Sequence, residues 1–216
     1  MAVPPTITDV VFDFCGVLVD WQCRAALDGH YPKELVDAIV APDDPYGFFD
    51  YEDRMDGGML LADILPMVQA DHGQDIADVF AYYIAHYGDA LPSMVPGMET
   101  LLTDLRAAGI RTWGLTNWSS ETFHFAFERF PVLQGLLEDT VVSGVERLHK
   151  PDAAIYELAQ ARFGLDPGHT LFLDDTARNV EGARTVGWHA LRFHDAAQVR
   201  ADLEDLHVLE GNEERP

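Results

Sequence analysis

The chain has 216 residues, of which 48% are hydrophobic, enough for one sizeable α/β core or for a core with a small inserted domain. Its formal net charge of −23 argues against nucleic acid and anionic membranes as partners, because both attract clustered Lys and Arg. No apolar run reaches the roughly 18 residues that a membrane-spanning helix needs. We therefore expect a globular protein with a small-molecule ligand, present as a monomer or homodimer.

Neither the amino-terminal segment nor the cysteines indicate export. The opening MAVPPTITDVVFDF has no basic residue before its apolar stretch, so it does not resemble a signal peptide. Only two cysteines occur, Cys15 and Cys23, and they form neither a CxxC pair nor a disulfide framework. A reducing compartment fits this usage, and the cytoplasm is the predicted location.

The predicted elements begin with a strand over residues 10–14, after which a long helical segment interrupts the sheet. Within residues 21–92, three helices joined by turns rich in Pro, Gly and Asp are predicted: 33–40, 59–70 and 76–87. A helical insertion after the first strand predicts a cap domain over 21–92, with hinges at 20–21 and 91–97. Residues 1–20 and 93–216 then form the catalytic core.

From residue 98 onwards, helices and strands alternate. Four helices are predicted, with Pro or Ser near their starts or Gly just beyond their ends: 98–108, 119–130, 151–163 and 176–186. Four more strands are predicted, apolar without alternation as in strands buried on both faces: 111–115, 140–143, 170–173 and 189–193. This order predicts an α/β fold, a Rossmann-like and mostly parallel sheet flanked by helices.

Polar side chains follow four of these strands at their carboxyl ends. In chain order they are Asp13 with Cys15, Thr116 with Asn117, Lys150, and Asp174 with Asp175. Each group alone is weak evidence, because such residues commonly form turns and helix caps. The carboxyl ends of parallel strands lie at one edge of the sheet, where ligands bind, so their joint placement predicts a site. Lysine is scarce, two residues against twelve arginines, which hints that the chemistry at position 150 requires a compact ammonium.

Four segments that carry these residues resemble the motifs of the haloacid dehalogenase superfamily: VVFDFCGVLVDW, GLTNW, HKP and LFLDDTARNVEGA. They are most similar to its glucose-1-phosphate-phosphatase-like branch. The resemblance covers nearly the whole chain, although it is vaguer over residues 21–92, where that superfamily often inserts a helical cap. It implies magnesium-dependent hydrolysis of a small phosphorylated metabolite through an aspartyl-phosphate on Asp13.

The chemistry of the side chains agrees with these implied roles. The carboxylate of Asp13 can attack phosphorus, and carboxylates such as Asp13 and Asp175 suit Mg²⁺, which prefers oxygen ligands. By the resemblance, the main-chain carbonyl of Cys15 is a further metal ligand. Asp174 is then expected to hold metal-bound water, with Asn179 behind the ligands.

The phosphoryl group itself needs hydrogen-bond donors and positive charge. Thr116 and Asn117 are predicted to donate hydrogen bonds to it, and Lys150 is predicted to neutralise it together with the nucleophile. Arg24 is a candidate substrate contact from the cap hinge, and Trp118 is a candidate wall of the pocket, although tryptophan is more often ordinary core. The histidines lack HxH and HExxH spacing, so no transition-metal site is predicted.

Cys15 departs from the pattern of the superfamily, whose phosphatases usually carry a second Asp there as general acid and base. A thiol with a pKa of about 8.5 is a poor replacement, so the leaving group is expected to depart largely unassisted. Two alternatives stay open: a catalytically weak protein that binds a phosphate ligand, and a metal-free 2-haloacid dehalogenase. The second is disfavoured, because the paired carboxylates of Asp174 and Asp175 repel each other without a cation.

Overall fold

The computed structural model describes residues 6–209, so residues 1–5 and 210–216 of the predicted core lie outside the described part. The described part contains seven strands: β1 Asp9–Phe12, β2 Val19–Asp20, β3 Ser93–Met94, β4 Arg111–Thr116, β5 Thr140–Val142, β6 Thr170–Asp174 and β7 His189–Arg192. It also contains twelve α-helices: α1 Cys23–Leu27, α2 Lys33–Ile39, α3 Phe48–Asp56, α4 Leu61–His72, α5 Gln74–Ala85, α6 Met98–Ala107, α7 His124–Arg129, α8 Val132–Leu136, α9 Ser143–Glu146, α10 Ala153–Phe163, α11 Ala177–Thr185 and α12 Ala196–Asp205.

Five strands form one parallel sheet in the order β5-β4-β1-β6-β7. The central strand β1 pairs with β4 on one side and with β6 on the other. Val10 and Phe12 belong to one apolar cluster and Val11 to a second, and all three side chains are fully buried. Both faces of the sheet are therefore covered, which explains the continuous apolar runs and confirms the predicted Rossmann-like α/β fold.

The helices α1 to α5 lie between the two short strands β2 and β3. These strands pair antiparallel, with Val19 opposite Met94 and Asp20 opposite Ser93, at the predicted hinges. The helices α2, α4 and α5 begin and end within two residues of their predicted bounds. We propose that the β2–β3 pair marks the boundary between the core and a cap formed by residues 21–92.

Helix α3 occupies a segment for which only turns are predicted. The Asp44 carboxylate accepts hydrogen bonds from the backbone N–H groups of Tyr46 and Phe48 just before and at its start, at 2.8 and 2.6 Å. Phe48 and Met55 on this helix are buried in the apolar core. A local side-chain hydrogen bond and burial in the core thus form a helix where the composition indicates turns.

The predicted helix over residues 119–130 is wrong in its first part, because α7 begins only at His124. Residues 120–123 form turns, and the Ser119 hydroxyl accepts a hydrogen bond from the backbone N–H of Glu121 at 3.1 Å. A serine side chain that binds nearby backbone groups competes with regular helix formation. Within residues 6–209, no helix has both the length and the apolar character that a bilayer crossing requires.

Candidate active site

The carboxyl ends of β1, β4 and β6 surround a cavity of about 520 Å³. Asp13 follows β1 directly, Thr116 ends β4 and Asp174 ends β6. Among the residues predicted for the site, six line this cavity: Asp13, Cys15, Asn117, Lys150, Asp175 and Asn179. The parallel order of the strands therefore brings together residues such as Asp13 and Asp175, which are 162 positions apart in the chain.

Lys150 is completely buried at the centre of the site. Its Nζ lies 2.8 Å from Asp13 Oδ1 and 2.7 Å from Asp174 Oδ2, and it donates a third hydrogen bond to the Leu115 carbonyl at 3.0 Å. Burial by itself lowers the pKa of this ammonium, but the carboxylates of Asp13 and Asp174 outweigh that effect and raise it above its ordinary value. Lys150 therefore stays charged, and all three of its protons are engaged.

Asp13 is held by two contacts on one of its oxygens. Oδ1 accepts a hydrogen bond from the backbone N–H of Phe14 at 2.7 Å and lies against Lys150. Burial raises the pKa of Asp13 to about 7, although Lys150 acts in the opposite direction. A cation near this carboxylate would favour the ionised form that a nucleophile requires.

Asp174 and Asp175 are adjacent but have different surroundings. Asp174 is fully buried, and both of its oxygens accept hydrogen bonds from Asn179 Nδ2, at 3.1 and 3.0 Å. The backbone N–H of Thr176 donates to Asp174 as well, at 2.8 Å. Asp175 is exposed and lines the cavity. Its carboxyl group is still partly enclosed, and this partial burial, together with the charge of Asp174, raises its pKa. Asp174 is thus fixed within the protein, whereas Asp175 is available to a ligand.

The three carboxylates of Asp13, Asp174 and Asp175 can hold a metal ion together, since one oxygen from each lies within 4.8 Å of the others. Within residues 6–209, one ammonium, that of Lys150, contacts this group directly, and it contacts two of the three. Oxygen donors that carry excess negative charge fit Mg²⁺, which coordinates oxygen in preference to nitrogen or sulfur.

Gly16 allows Asp175 to approach the loop that follows β1. Its φ angle of +80° is one that residues with a side chain rarely adopt. A Cβ atom at this position would lie 2.8 Å from Asp175 Oδ2. The glycine therefore provides both the turn and the space in which the carboxylate of Asp175 faces the loop of Asp13.

Thr116 and Asn117 lie at the end of β4, but their contacts indicate a positioning role. The Asn117 side chain clamps the backbone of Lys150: its Oδ1 accepts from the Lys150 N–H at 2.8 Å, and its Nδ2 donates to the Lys150 carbonyl at 3.0 Å. The Thr116 side chain is fully buried, and its hydroxyl donates to the Asn117 carbonyl at 3.4 Å. The structure places Asn117 on the cavity wall and Thr116 behind it.

Two predicted substrate contacts are wrong, because their side chains lie away from the cavity. Trp118 is 1% exposed, and its indole N–H donates to the Thr122 hydroxyl at 3.0 Å inside the aromatic core. The Arg24 guanidinium forms partly exposed ion pairs with Asp28 and Asp37, at 3.3 and 2.6 Å. Trp118 packs in the apolar core, and Arg24 is held by neighbouring carboxylates.

Cys15 lines the cavity beside Asp13 and is half-buried. Burial raises the pKa of its thiol well above the ordinary value, and the carboxylates of Asp13 and Asp56 act in the same direction. The thiol is therefore neutral and a very weak acid. This agrees with the expectation that it cannot replace a carboxylic acid in proton transfer. Cys15 and Cys23 are both free cysteines.

Further residues line the cavity, and the sequence alone predicts no role for them in the site. Asp53 and Asp56 reach the cavity from α3, and Arg178 reaches it from α11. One signal exists in the sequence: Glu52 and Asp56 are four residues apart, which puts both on one face of a helix. That spacing has meaning only once the segment is known to be helical.

Glu52 lies buried behind the cavity and is expected to make stability depend on pH. Tyr83 donates a hydrogen bond to its Oε1 at 2.9 Å, but burial still raises its pKa from 4.5 to about 7. In the unfolded chain Glu52 ionises near its ordinary value, so between pH 4.5 and 7 the folded protein binds the extra proton. The contribution of Glu52 to the free energy of unfolding therefore falls as pH rises through this window, by on the order of 3 kcal/mol.

Glu52→Gln removes this titration, so the variant should gain stability relative to the wild type as pH rises from 4.5 to 8. Urea unfolding of both proteins across that range measures the difference. Glu34→Gln makes the same change at an exposed position of α2 and serves as the control. Parallel pH dependences for the wild type and Glu52→Gln would contradict the prediction.

Comparison with known proteins agrees with this arrangement. The sequence profile of the family described as haloacid dehalogenase-like hydrolase matches residues 9–187. Over 130 residues the chain is 31% identical to Acyl-CoA dehydrogenase family member 10 of Mus musculus, which covers 59% of this chain and 12% of the mouse protein. Over 109 residues it is 28% identical to the sesquiterpene phosphatase astK of Aspergillus oryzae, which covers 50% of this chain and 55% of the fungal protein.

A solved structure of similar shape is a haloacid dehalogenase family enzyme from Bacteroides thetaiotaomicron, in complex with magnesium and inorganic phosphate. It superposes with a TM-score of 0.67 at 19% identity, over 88% of this chain and 95% of the other, which supports the fold alone. The chain spans little more than half of the fungal relative and much less of the mouse one. The family profile, however, matches most of its length and includes the residues that surround the cavity, and the chain therefore belongs to the haloacid dehalogenase-like hydrolases.

Proposed function

We propose that this hydrolase is a magnesium-dependent phosphatase that acts on a small phosphorylated metabolite through an aspartyl-phosphate on Asp13. The observation that carries the proposal is the convergence of Asp13, Asp174 and Asp175 on a cavity with a single buried ammonium. An anionic substrate can approach three carboxylates only when a divalent cation offsets their charge. The names of the fungal relative, a phosphatase, and of the magnesium and phosphate complex support the same chemistry.

The residues around the cavity would have different roles in this reaction. Asp13, Asp175 and the main-chain carbonyl of Cys15 would hold the metal ion, with Asp174 and Asn179 behind them. Mg²⁺, when bound, would offset the negative charge of the phosphoryl oxygens. Lys150 keeps the Asp13 carboxylate oriented for attack on phosphorus, and Asn117 fixes the backbone of Lys150.

The metal-free dehalogenase alternative is disfavoured by the same geometry. A dehalogenase without a cation has no use for two adjacent carboxylates at the end of β6. Here Asp175 lies beside the buried carboxylate of Asp174, and the charge of Asp174 raises its pKa. Such repulsion is useful in a protein that binds a cation and costly in one that does not.

The size of the cavity suits a small substrate. Its volume of about 520 Å³ lies inside the range of roughly 300–1,000 Å³ that is usual for small-molecule sites. Membership of the glucose-1-phosphate-phosphatase-like branch, which the motifs resemble most, is our proposal within this class. The cytoplasmic location and the monomeric or homodimeric state stay predictions.

Screening phosphorylated metabolites with and without Mg²⁺ tests the proposal. Hydrolysis of at least one phosphate ester should stop with EDTA and return with Mg²⁺. Hydrolysis of 2-chloropropionate in EDTA, without release of phosphate from any ester, would instead establish the dehalogenase alternative. Binding of a phosphate ester without any turnover would favour the weak phosphate-binding protein.

The two adjacent aspartates allow a sharper test of the metal site. Asp175→Asn should weaken Mg²⁺ binding more than Asp174→Asn, because Asp175 is exposed to the cavity while Asp174 already has four protein contacts. Loss of a supporting group such as Asp174 typically costs about 10–100-fold in metal affinity, and loss of a direct ligand should exceed that. Calorimetric titration with Mg²⁺ measures both, after thermal unfolding has shown that both variants fold. The reverse order would place the metal elsewhere.

A further inference from the structure

We propose that Asp56, at the end of cap helix α3, donates the proton to the leaving group and then activates water, in place of the carboxylic acid that position 15 lacks. The inference rests on the phosphatase function proposed above. It revises the expectation that the leaving group departs unassisted, since a carboxyl group reaches the same cavity from the cap.

Asp56 shares the cavity with the nucleophile and is fixed to the core rather than to the cap alone. It lines the wall together with Asp13 and Lys150. The Ser143 hydroxyl donates to the Asp56 carbonyl at 2.6 Å, and the backbone N–H of Ser119 donates to the Asp56 carboxylate. Ser143 and Ser119 follow β5 and β4, so both contacts come from the sheet edge that carries the site.

The turn after α3 also packs closely against the core, which fixes the position of Asp56 relative to Asp13. Gly58 has a φ angle of +97°, and a Cβ atom there would lie 2.7 Å from Arg147 Cγ and 3.2 Å from the Gly144 carbonyl. Three residues later, the backbone N–H of Leu61 donates to Glu121 Oε2 at 2.6 Å. Glycine accommodates this approach, and the turn that follows Asp56 is thus held against the core.

The surroundings of Asp56 favour the protonated form of its carboxyl group, which a general acid requires. The titratable groups that face it come from α3, from the loop after β1 and from the segment after α5: Glu52, Asp53, Asp13, Cys15 and Tyr87. Burial raises the pKa of Asp56 well above its ordinary value, and the charges of Glu52 and Asp53 add to this effect. Glu52 lies one helical turn from Asp56 and accepts a hydrogen bond from Tyr83.

The two chemical steps balance with Asp56 as the proton carrier. In the first, an Asp13 oxygen forms a bond to phosphorus while the bond from phosphorus to the ester oxygen breaks, and Asp56 transfers its proton to that oxygen. In the second, the Asp56 carboxylate takes a proton from water as the water oxygen attacks the aspartyl-phosphate. Phosphate leaves, and Asp13 and protonated Asp56 are restored.

Leaving-group dependence tests this role directly. On alkyl phosphates, whose leaving oxygen needs a proton, Asp56→Asn should lower kcat/KM by about 10²–10⁴-fold. On 2,4-dinitrophenyl phosphate, whose leaving group departs without help, the loss should stay below about 10-fold. The fall of wild-type kcat/KM at high pH, where Asp56 would lose its proton, should disappear in the variant. Asp50→Asn, the same change at an exposed position of the same helix, should leave both substrates unaffected.

Three results would overturn the inference. They are an equal loss on both substrates, no loss on either, and a leaving-group-dependent loss in Asp53→Asn or Cys15→Ala but not in Asp56→Asn. If Asp56→Asn does not fold, the wild-type protein still decides, because rates that rise steeply as the leaving group improves would show that no acid assists. If the rates rise in this way but hydrolysis of dinitrophenyl phosphate still depends on Asp13, the acid role of Asp56 is excluded while the proposed phosphatase function stands. If no phosphate ester is hydrolysed, the proposed function itself fails.

Discussion

Asp13→Asn is expected to abolish phosphatase turnover while the protein stays folded, a loss of several orders of magnitude. The amide keeps the size of the carboxylate, and its oxygen can still accept the hydrogen bonds from Phe14 and Lys150. The change removes one negative charge from a group of three neighbouring carboxylates, so it should not destabilise the fold. What disappears is the oxygen nucleophile that forms the aspartyl-phosphate.

Steady-state rates on the best substrate of the screen measure this effect, and thermal unfolding checks the fold. Trapping the wild type with beryllofluoride, a mimic of the bound phosphoryl group, should place the adduct on Asp13. Asp63→Asn, an exposed aspartate in the first turn of α4, is the matched control and should keep full activity. Wild-type rates in a clean preparation of Asp13→Asn would show that another residue is the nucleophile.

Lys150→Arg is expected to lose most activity although it keeps the positive charge. The Lys150 ammonium is fully buried among two carboxylates and a carbonyl, all within 3.0 Å. A planar guanidinium is wider and cannot direct its donors to these three groups at once. Overpacking of this kind also typically costs about 1–3 kcal/mol in the free energy of unfolding.

Lys150→Met separates charge from shape in the same position. Removing one partner of a buried ion pair typically costs about 3–5 kcal/mol, because the remaining charge is left uncompensated. Adding Asp174→Asn to Lys150→Met should recover part of the lost stability, because one of the two carboxylates left without their ammonium partner is then neutral. Urea unfolding of the single and double variants measures the coupling.

Lys33 offers a matched control, because it is the other lysine of the chain and its side chain is 76% exposed. Lys33→Arg should change the free energy of unfolding by less than about 0.5 kcal/mol and leave activity intact. A Lys150→Arg variant with near wild-type turnover would mean that Lys150 supplies only diffuse positive charge.

Prediction from the sequence succeeds where local pattern and chain direction suffice. Val10, Val11 and Phe12 form an uninterrupted apolar run, which is the pattern of a strand buried on both faces. Once the sheet is parallel, any residue that directly follows a strand lies at the same edge. Asp13 and Asp174 therefore reach one site without any knowledge of packing.

Prediction fails where packing decides between equal candidates. Trp21 and Trp118 both adjoin predicted site motifs, yet Trp21 lines the cavity and Trp118 is buried in the core. Arg24 lies near the cap hinge, but it is neutralised by two aspartates that composition alone cannot assign to it. The deciding partners are distant in the chain: Trp118 packs against Phe14 and Tyr87, and Arg24 pairs with Asp37 as well as with its neighbour Asp28. Local spacing predicts only the Asp28 contact.

The sequence by itself determined the sheet and the position of Asp13 and Asp174 at one edge of it, because these follow from apolar runs and from the direction of parallel strands. The role of Asp13 as the nucleophile stays a proposal. Only the tertiary structure decided that Asp56 enters the cavity. The helix that carries Asp56 starts with hydrogen bonds to Asp44, and its end is fixed by contacts with Ser119 and Ser143. The contacts with Ser119 and Ser143 join segments more than 60 residues apart, and such long-range contacts form only when the whole chain packs.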